Sequence, residues 1–241
     1  MTDNPAVTIE ALIFDFDGLL MDTERTLLDS WRWEWRQHGL ELDESGFFAE
    51  HGGDVSELRY AELARAVGAG YDRAASHARR MAYREEVHAT LGLSSGIASW
   101  LGEAERRGLR LAVASSSPGS WVRSHLQRTG DLARFEVLAC GDEVPGHKPD
   151  PAVYRLALDR LGLSADRAVA FEDSPHGVDA AQAAGLRCVA IPNPFTPEGR
   201  YAHADVLLPS AATTILSEVL SRIERIPSRS PDRSEDQLQD R

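Results

Sequence analysis

A chain of 241 residues, 42% hydrophobic and 27% charged, is long enough to bury a large core as one domain or as one domain with an insert. Its net charge of −12 argues against partners such as nucleic-acid backbones and anionic membranes. No run approaches the length of a membrane span, and the N-terminus lacks a basic-then-apolar leader, so the cytoplasm is the expected compartment. Cys140 and Cys188 each sit in an apolar strand-like run and read as buried free thiols in a reducing compartment.

In chain order, the apolar run Ala11–Phe14 reads as a buried strand. It ends in Asp15-Phe16-Asp17-Gly18, two carboxylates at i and i+2 with a glycine that permits a sharp exit. If the strand continues, that offset puts both acids on one side. Carboxylates at a buried strand end are costly unless a positive group meets them, and a hard cation such as Mg²⁺ is the simplest partner. Residues 21–92 read as wholly helical, with Asp22 as the first N-cap. Trp31 and Trp35 share a face of that first helix, and Trp33 points away. Core packing, or contact between this helical region and the rest of the chain, is the expected role of Trp31 and Trp35; lining an apolar substrate pocket is the lesser alternative. His51-Gly52-Gly53-Asp54 is the candidate substrate-touching loop, because glycine lets backbone approach a ligand; a plain helix–helix turn is the alternative. Gly92, Ser94, Ser95 and Gly96 suit a bending linker.

From residue 93 to about 226 strands and helices alternate. Strands are expected at Arg110–Ala114, Phe135–Ala139, Ala168–Glu172, Arg187–Ile191 and Asp205–Leu208, giving a parallel sheet covered by helices. The second strand ends in Ser115-Ser116-Ser117 before a helix starting near Gly119, a candidate anion site or simply an N-cap. Asp142 and Glu143 follow the third strand and read either as a surface turn or as groups near a metal. Among 26 basic residues there is a single lysine, Lys148, framed by Gly146, Pro149 and Pro151. Lysine is a compact point charge where arginine is a broad planar fork, so its placement is informative. The fourth strand ends in Glu172-Asp173-Ser174 before another helix, the arrangement by which open α/β sheets present ligands. His147 and His176 flank these motifs and read as solvated loop residues. The last fifteen residues, 227–241, hold one apolar side chain and read as a disordered tail.

Four strand ends thus carry Asp/Asp, Ser, Lys and Glu/Asp in that order. In this the chain resembles the haloacid dehalogenase-like hydrolases, in particular the phosphatase and β-phosphoglucomutase-like branch, from about Ile9 to Pro209. The resemblance implies a Rossmann-like α/β core, residues 1–20 and 93–226, with an inserted helical cap, 21–92. It implies Asp15 as nucleophile, Asp17 as general acid and base, and Lys148 as the balancing charge. Ser115, with Ser116 beside it, would bind the phosphoryl group together with Lys148. Asp15, Glu172, Asp173 and the carbonyl of Asp17 would hold Mg²⁺, and Gly52 and Gly53 would touch substrate. Asp17 favours phosphate chemistry over carbon–halogen cleavage, which needs no acid there. Sugar phosphomutases of the branch carry basic groups that correspond to Leu27, a place near Val55, and Pro118; none of these is basic here. The expectation is therefore a Mg²⁺-dependent phosphatase acting on a small phosphorylated metabolite, as a monomer or weak dimer. A phosphomutase and a non-catalytic metabolite binder are the alternatives.

Overall fold

A computed structural model describes residues 8–48 and 56–227. Six parallel strands form one sheet in the order β3-β2-β1-β4-β5-β6. They are β1 (Ala11–Phe14), β2 (Arg110–Ser115), β3 (Val137–Cys140), β4 (Ala168–Glu172), β5 (Arg187–Ala190) and β6 (Val206–Leu207). The central strands carry apolar runs, Ala11–Phe14, Leu111–Ala114 and Ala168–Phe171, buried on both faces as a helix-covered parallel sheet requires. The third strand begins two residues later than expected, because a short 3₁₀ turn over Leu132–Arg134 ends at Phe135. The sixth is shorter than expected, a two-residue edge.

Helices cover both faces. On one side, α4 (Ile97–Arg106), α5 (Gly119–Thr129) and α8 (Leu216–Ile223) pack over Leu12, Phe14, Val113 and Phe171. On the other, α6 (Ala152–Leu161) and α7 (Pro175–Ala183) pack over Ile13, Ala112 and Ala170. The strand sequences alternate between the two cores at every residue, so a one-residue slip would exchange both faces.

Between β1 and α4 lie three further helices, α1 (Thr23–Gln37), α2 (Ser56–Val67) and α3 (Arg73–Thr90). Asp22 caps α1 as expected, accepting the Arg25 N–H at 3.2 Å. The region is not wholly helical, since Leu40–Phe48 runs as coil and turns. Trp31 is buried with Leu28, Phe47 and Tyr60, Trp35 packs on the edge of that cluster, and Trp33 stacks on Tyr83 of α3 at 5.0 Å. The two connections to this region touch, Ser94 N–H donating to the Leu20 carbonyl at 2.8 Å. Gly96 also has a packing role. It adopts φ +86°, and a Cβ there would lie 2.3 Å from the Ala211 backbone, so only glycine allows this close packing. Cys140 and Cys188 are buried and unbridged, and burial pushes the Cys140 thiol up to about 11. Among the described residues no helix is long and apolar enough to cross a membrane.

Candidate active site

The sheet order reverses direction between β1 and β4, and ligands of open α/β sheets bind beyond the strand ends at such a point. Phe14 pairs in register with Phe171 and stacks on it at 4.8 Å. The residues that follow, Asp15 and Glu172, therefore emerge side by side. Lys148 reaches in from the loop after β3. Its ammonium donates to Asp15 Oδ1, to Glu172 Oε1 at 2.6 Å and to the Ala114 carbonyl at 2.8 Å. Three acceptors satisfy the three donors of a lysine, which a planar guanidinium could not match in this space. Burial lowers the Lys148 pKa, but Asp15 and Glu172 outweigh it and hold the group charged. Tyr154 of α6 adds its hydroxyl to Glu172 Oε1 at 2.5 Å.

Asp17 reaches the site by a different route from the one expected. The strand ends at Phe14, so alternation along it does not set the side chain. Instead the chain turns at Gly18, with φ +84°, where a Cβ would lie 2.0 Å from Asp173 Oδ2. The turn leaves Asp17 accepting hydroxyls from Thr23 at 2.8 Å and Ser117 at 2.6 Å, and the indole N–H of Trp121 at 3.0 Å. Ser115 is buried at the end of β2, its Oγ accepting the Ser117 N–H at 3.0 Å. Asp142 accepts the Gly119 N–H at 2.9 Å and Glu143 pairs with Arg160 at 2.6 Å, so these two acids build the turn after β3. That capping takes one N–H of the α5 terminus away from any anion.

Carboxylate oxygens of Asp15, Glu172 and Asp173 lie within 4.8 Å of one another, and all three residues are buried. Burial raises the pKa of Asp15 well above the ordinary carboxyl range; Lys148 opposes this, and Glu172, Asp173 and Asp17 add to it. Asp173 is raised in the same way, by burial and then by Glu24 and Glu172. The cluster is short of positive charge, and its all-oxygen donors fit a hard divalent cation. Glu172 Oε1 is already occupied by Lys148 and Tyr154, so Asp15 and Asp173 are the better placed to meet an ion.

Asp15, Asp17, Lys148 and Asp173 face one cavity of about 1360 Å³ beneath the inserted helices, and Glu172 stands behind them. Ser115, Ser116 and Ser117 form one wall, and Trp31, Phe47 and Phe48 another. Trp31 thus packs in a core and lines the cavity at once. His147 and His176 are exposed and stand at the rim. Gly52 and Gly53, and the position near Val55, lie outside the described residues.

Several residues in and around the site carried no clear signal in the sequence. Glu24, in the first turn of α1, has its pKa pushed up to about 7 by burial and by Asp15, Asp17, Asp22 and Glu172. Asn193, after β5, donates to Glu24 at 3.0 Å and to Asp173 Oδ2 at 3.1 Å. Tyr201 donates to the Asp173 carbonyl. Only the acid spacing Asp22/Glu24 was there to be noticed; Asn193, Trp121 and Tyr201 are ordinary loop and helix residues until the chain folds.

Residues 12–191 match the family described as haloacid dehalogenase-like hydrolase. The chain belongs to that family. The protein CbbY of Cereibacter sphaeroides is 36% identical over 225 residues, spanning 85% of this chain and 93% of its own length. The fructose-1-phosphate phosphatase YqaB of Escherichia coli is 30% identical, spanning 75% of this chain and 95% of its own. The crystal structure of CbbY from Rhodobacter sphaeroides in complex with phosphate superposes with a TM-score of 0.66 at 33% identity, covering 87% of this chain and 98% of that one. As a haloacid dehalogenase-like hydrolase with phosphatases among its relatives, the chain is an enzyme.

Proposed function

We propose that this hydrolase cleaves small phosphomonoesters, sugar phosphates among them, through an aspartyl-phosphate on Asp15. The observation that carries the reading is Lys148 set between Asp15 and Glu172 at the switch point of the sheet. A carboxylate oxygen of Asp15 attacks phosphorus and the ester oxygen leaves with a proton from Asp17. Water then gives a proton back to Asp17 and attacks the phosphorus of the intermediate, releasing phosphate and regenerating Asp15. Ser115, Ser116 and Lys148 hold the phosphoryl oxygens while charge builds on them, the larger part of catalysis in phosphoryl transfer. Asp15 and Asp173, with Glu172 and the Asp17 carbonyl, would hold Mg²⁺. When bound, that ion supplies charge neutralisation between the nucleophile and the phosphoryl group. The inserted helices act as a cap that shelters the intermediate from bulk water. The name of the fructose-1-phosphate phosphatase and the aromatic wall of Trp31, Phe47 and Phe48 support a carbon-rich, hydroxylated leaving group.

The test is phosphate release from a panel of phosphomonoesters with and without Mg²⁺, beside Asp15→Asn. Release that needs both the metal and Asp15 is the expected result. Isomerisation of a sugar phosphate in place of release would turn the reading to a phosphomutase, and inertness of folded, metal-loaded protein would turn it to a binder.

A further inference from the structure

None of the three donors on Asp17 has a part in the chemistry above, and one of them cannot change partners. Trp121, in the first turn of α5, gives its indole N–H to Asp17 Oδ1 at 3.0 Å. The other two donors, Thr23 and Ser117, are hydroxyls that can rotate and change partners. The indole N–H can only donate, and it points where the ring points.

The ring is held on several sides. His125 lies 4.0 Å from it, centroid to centroid, and also binds the Trp121 carbonyl through Nδ1 at 3.0 Å. His88 of α3 meets it edge-on at 5.2 Å, and the Arg84 guanidinium stands 5.9 Å from its centroid. His88 is itself fixed. Thr26 has one hydroxyl proton and gives it to the Thr23 carbonyl at 2.7 Å, so its contact with His88 Nε2, also 2.7 Å, is a bond donated by the imidazole. Thr26 follows Thr23 by one turn of α1, so the clamp joins two inserted helices to the acid.

The geometry points to Trp121 as a positioning residue that sets the rotation of the Asp17 carboxyl group and ties it to the seat of the inserted helices. A general acid works only from within hydrogen-bond reach and at the right angle to the leaving oxygen, so small rotations matter. The inference rests on the phosphatase reading, and it concerns the step in which the leaving group takes its proton. Alkyl phosphates need that proton; p-nitrophenyl phosphate, whose leaving anion is stable, needs it little.

The experiment compares kcat/KM of Trp121→Phe and wild type on the best alkyl phosphate of the panel and on p-nitrophenyl phosphate, with Mg²⁺. The expected result is a loss of about tenfold on the alkyl ester and of less than about twofold on the aryl ester, a fraction of what complete removal of a general acid costs. Trp121→His, which keeps a ring N–H, is expected to recover part of the alkyl activity. Should Trp121→Phe fail to melt cooperatively, Trp121→Leu removes the same donor from a smaller side chain and is read in the same way. Equal losses on both esters, or no loss on either, overturn the assignment. A wild-type enzyme that releases no phosphate from either ester defeats the phosphatase reading itself, an outcome distinct from an active wild type with an indifferent Trp121.

Discussion

The carboxyl edge of the sheet and the inserted helices are built on opposite principles. At the edge, Asp15, Lys148, Glu172 and Asp173 are all buried, and each is fixed by a strand end or a short loop of a rigid sheet. Like charges crowd there at a cost, which the surrounding core of Phe14, Phe171 and Val113 can bear. In the inserted region the buried cluster is small: Leu28, Trp31, Phe47 and Tyr60. It is reinforced by Arg80 over the Trp31 ring at 3.9 Å and by buried Glu34 paired with Arg79 at 2.5 Å. The edge holds chemistry in place at the expense of stability. The insert holds its shape around that small cluster and a few buried polar and cation–ring contacts.

The largest effect that could break this contrast is at Asp15. Asp15→Asn is expected to lower phosphate release by about 10⁴-fold, since nucleophile loss removes the covalent route. Its melting temperature in metal-free protein is expected to stay level or rise. The sign follows from the raised pKa of Asp15: its contribution to stability is present below the carboxyl's unfolded value and is lost as pH rises through the folded one. Above the unfolded carboxyl value, ionising Asp15 costs the folded state more than the unfolded one, and asparagine, which does not ionise, removes that penalty. A large fall in melting temperature would show that the Lys148 pair outweighs the repulsion.

Trp31→Ala comes next. Truncating a buried tryptophan costs about 3–5 kcal/mol, and here the loss falls on the insert. The expected outcome is early hydrogen exchange in α1–α3 with protection of β1, β2 and β4 retained. Uniform loss of protection would mean that the two regions unfold as one.

The smallest effect sharpens the boundary between them. Burial lowers the His88 pKa to about 4, with Arg84 and His125 adding to the effect. A depressed folded pKa contributes stability above the unfolded value near 6.5 that is lost as pH falls toward the folded one. Between pH 6.5 and 4 the wild type is expected to lose about 2 kcal/mol more than His88→Phe, read as the difference between their urea midpoints at each pH. Parallel curves for the two proteins would remove His88 from the clamp.

The elements of the fold were legible because each strand is a short apolar run closed by a polar or glycine-rich turn. Local chemistry of that kind needs no partner to be recognised. Asp15, Lys148, Glu172 and Asp173 were legible for a related reason: an acid at a buried strand end, or a lone lysine in a Gly/Pro-framed loop, is anomalous in one dimension already. The position of Asp17 was read from strand alternation, yet it depends on a turn at Gly18 that closes against Asp173. The packing of Gly96 on Ala211 was not legible, because that neighbour is remote in sequence.

The sequence by itself determined the parallel sheet, the family and the four motif positions, since each depends on residue type and order along the chain. Tertiary structure alone decided that Trp121 and Thr23 grip Asp17, that Asn193 joins Glu24 to Asp173, and that Tyr154 occupies Glu172. Those contacts span 6 to 169 positions. They arise only once sheet register and helix packing have brought the partners within hydrogen-bond reach, and no local pattern encodes that distance.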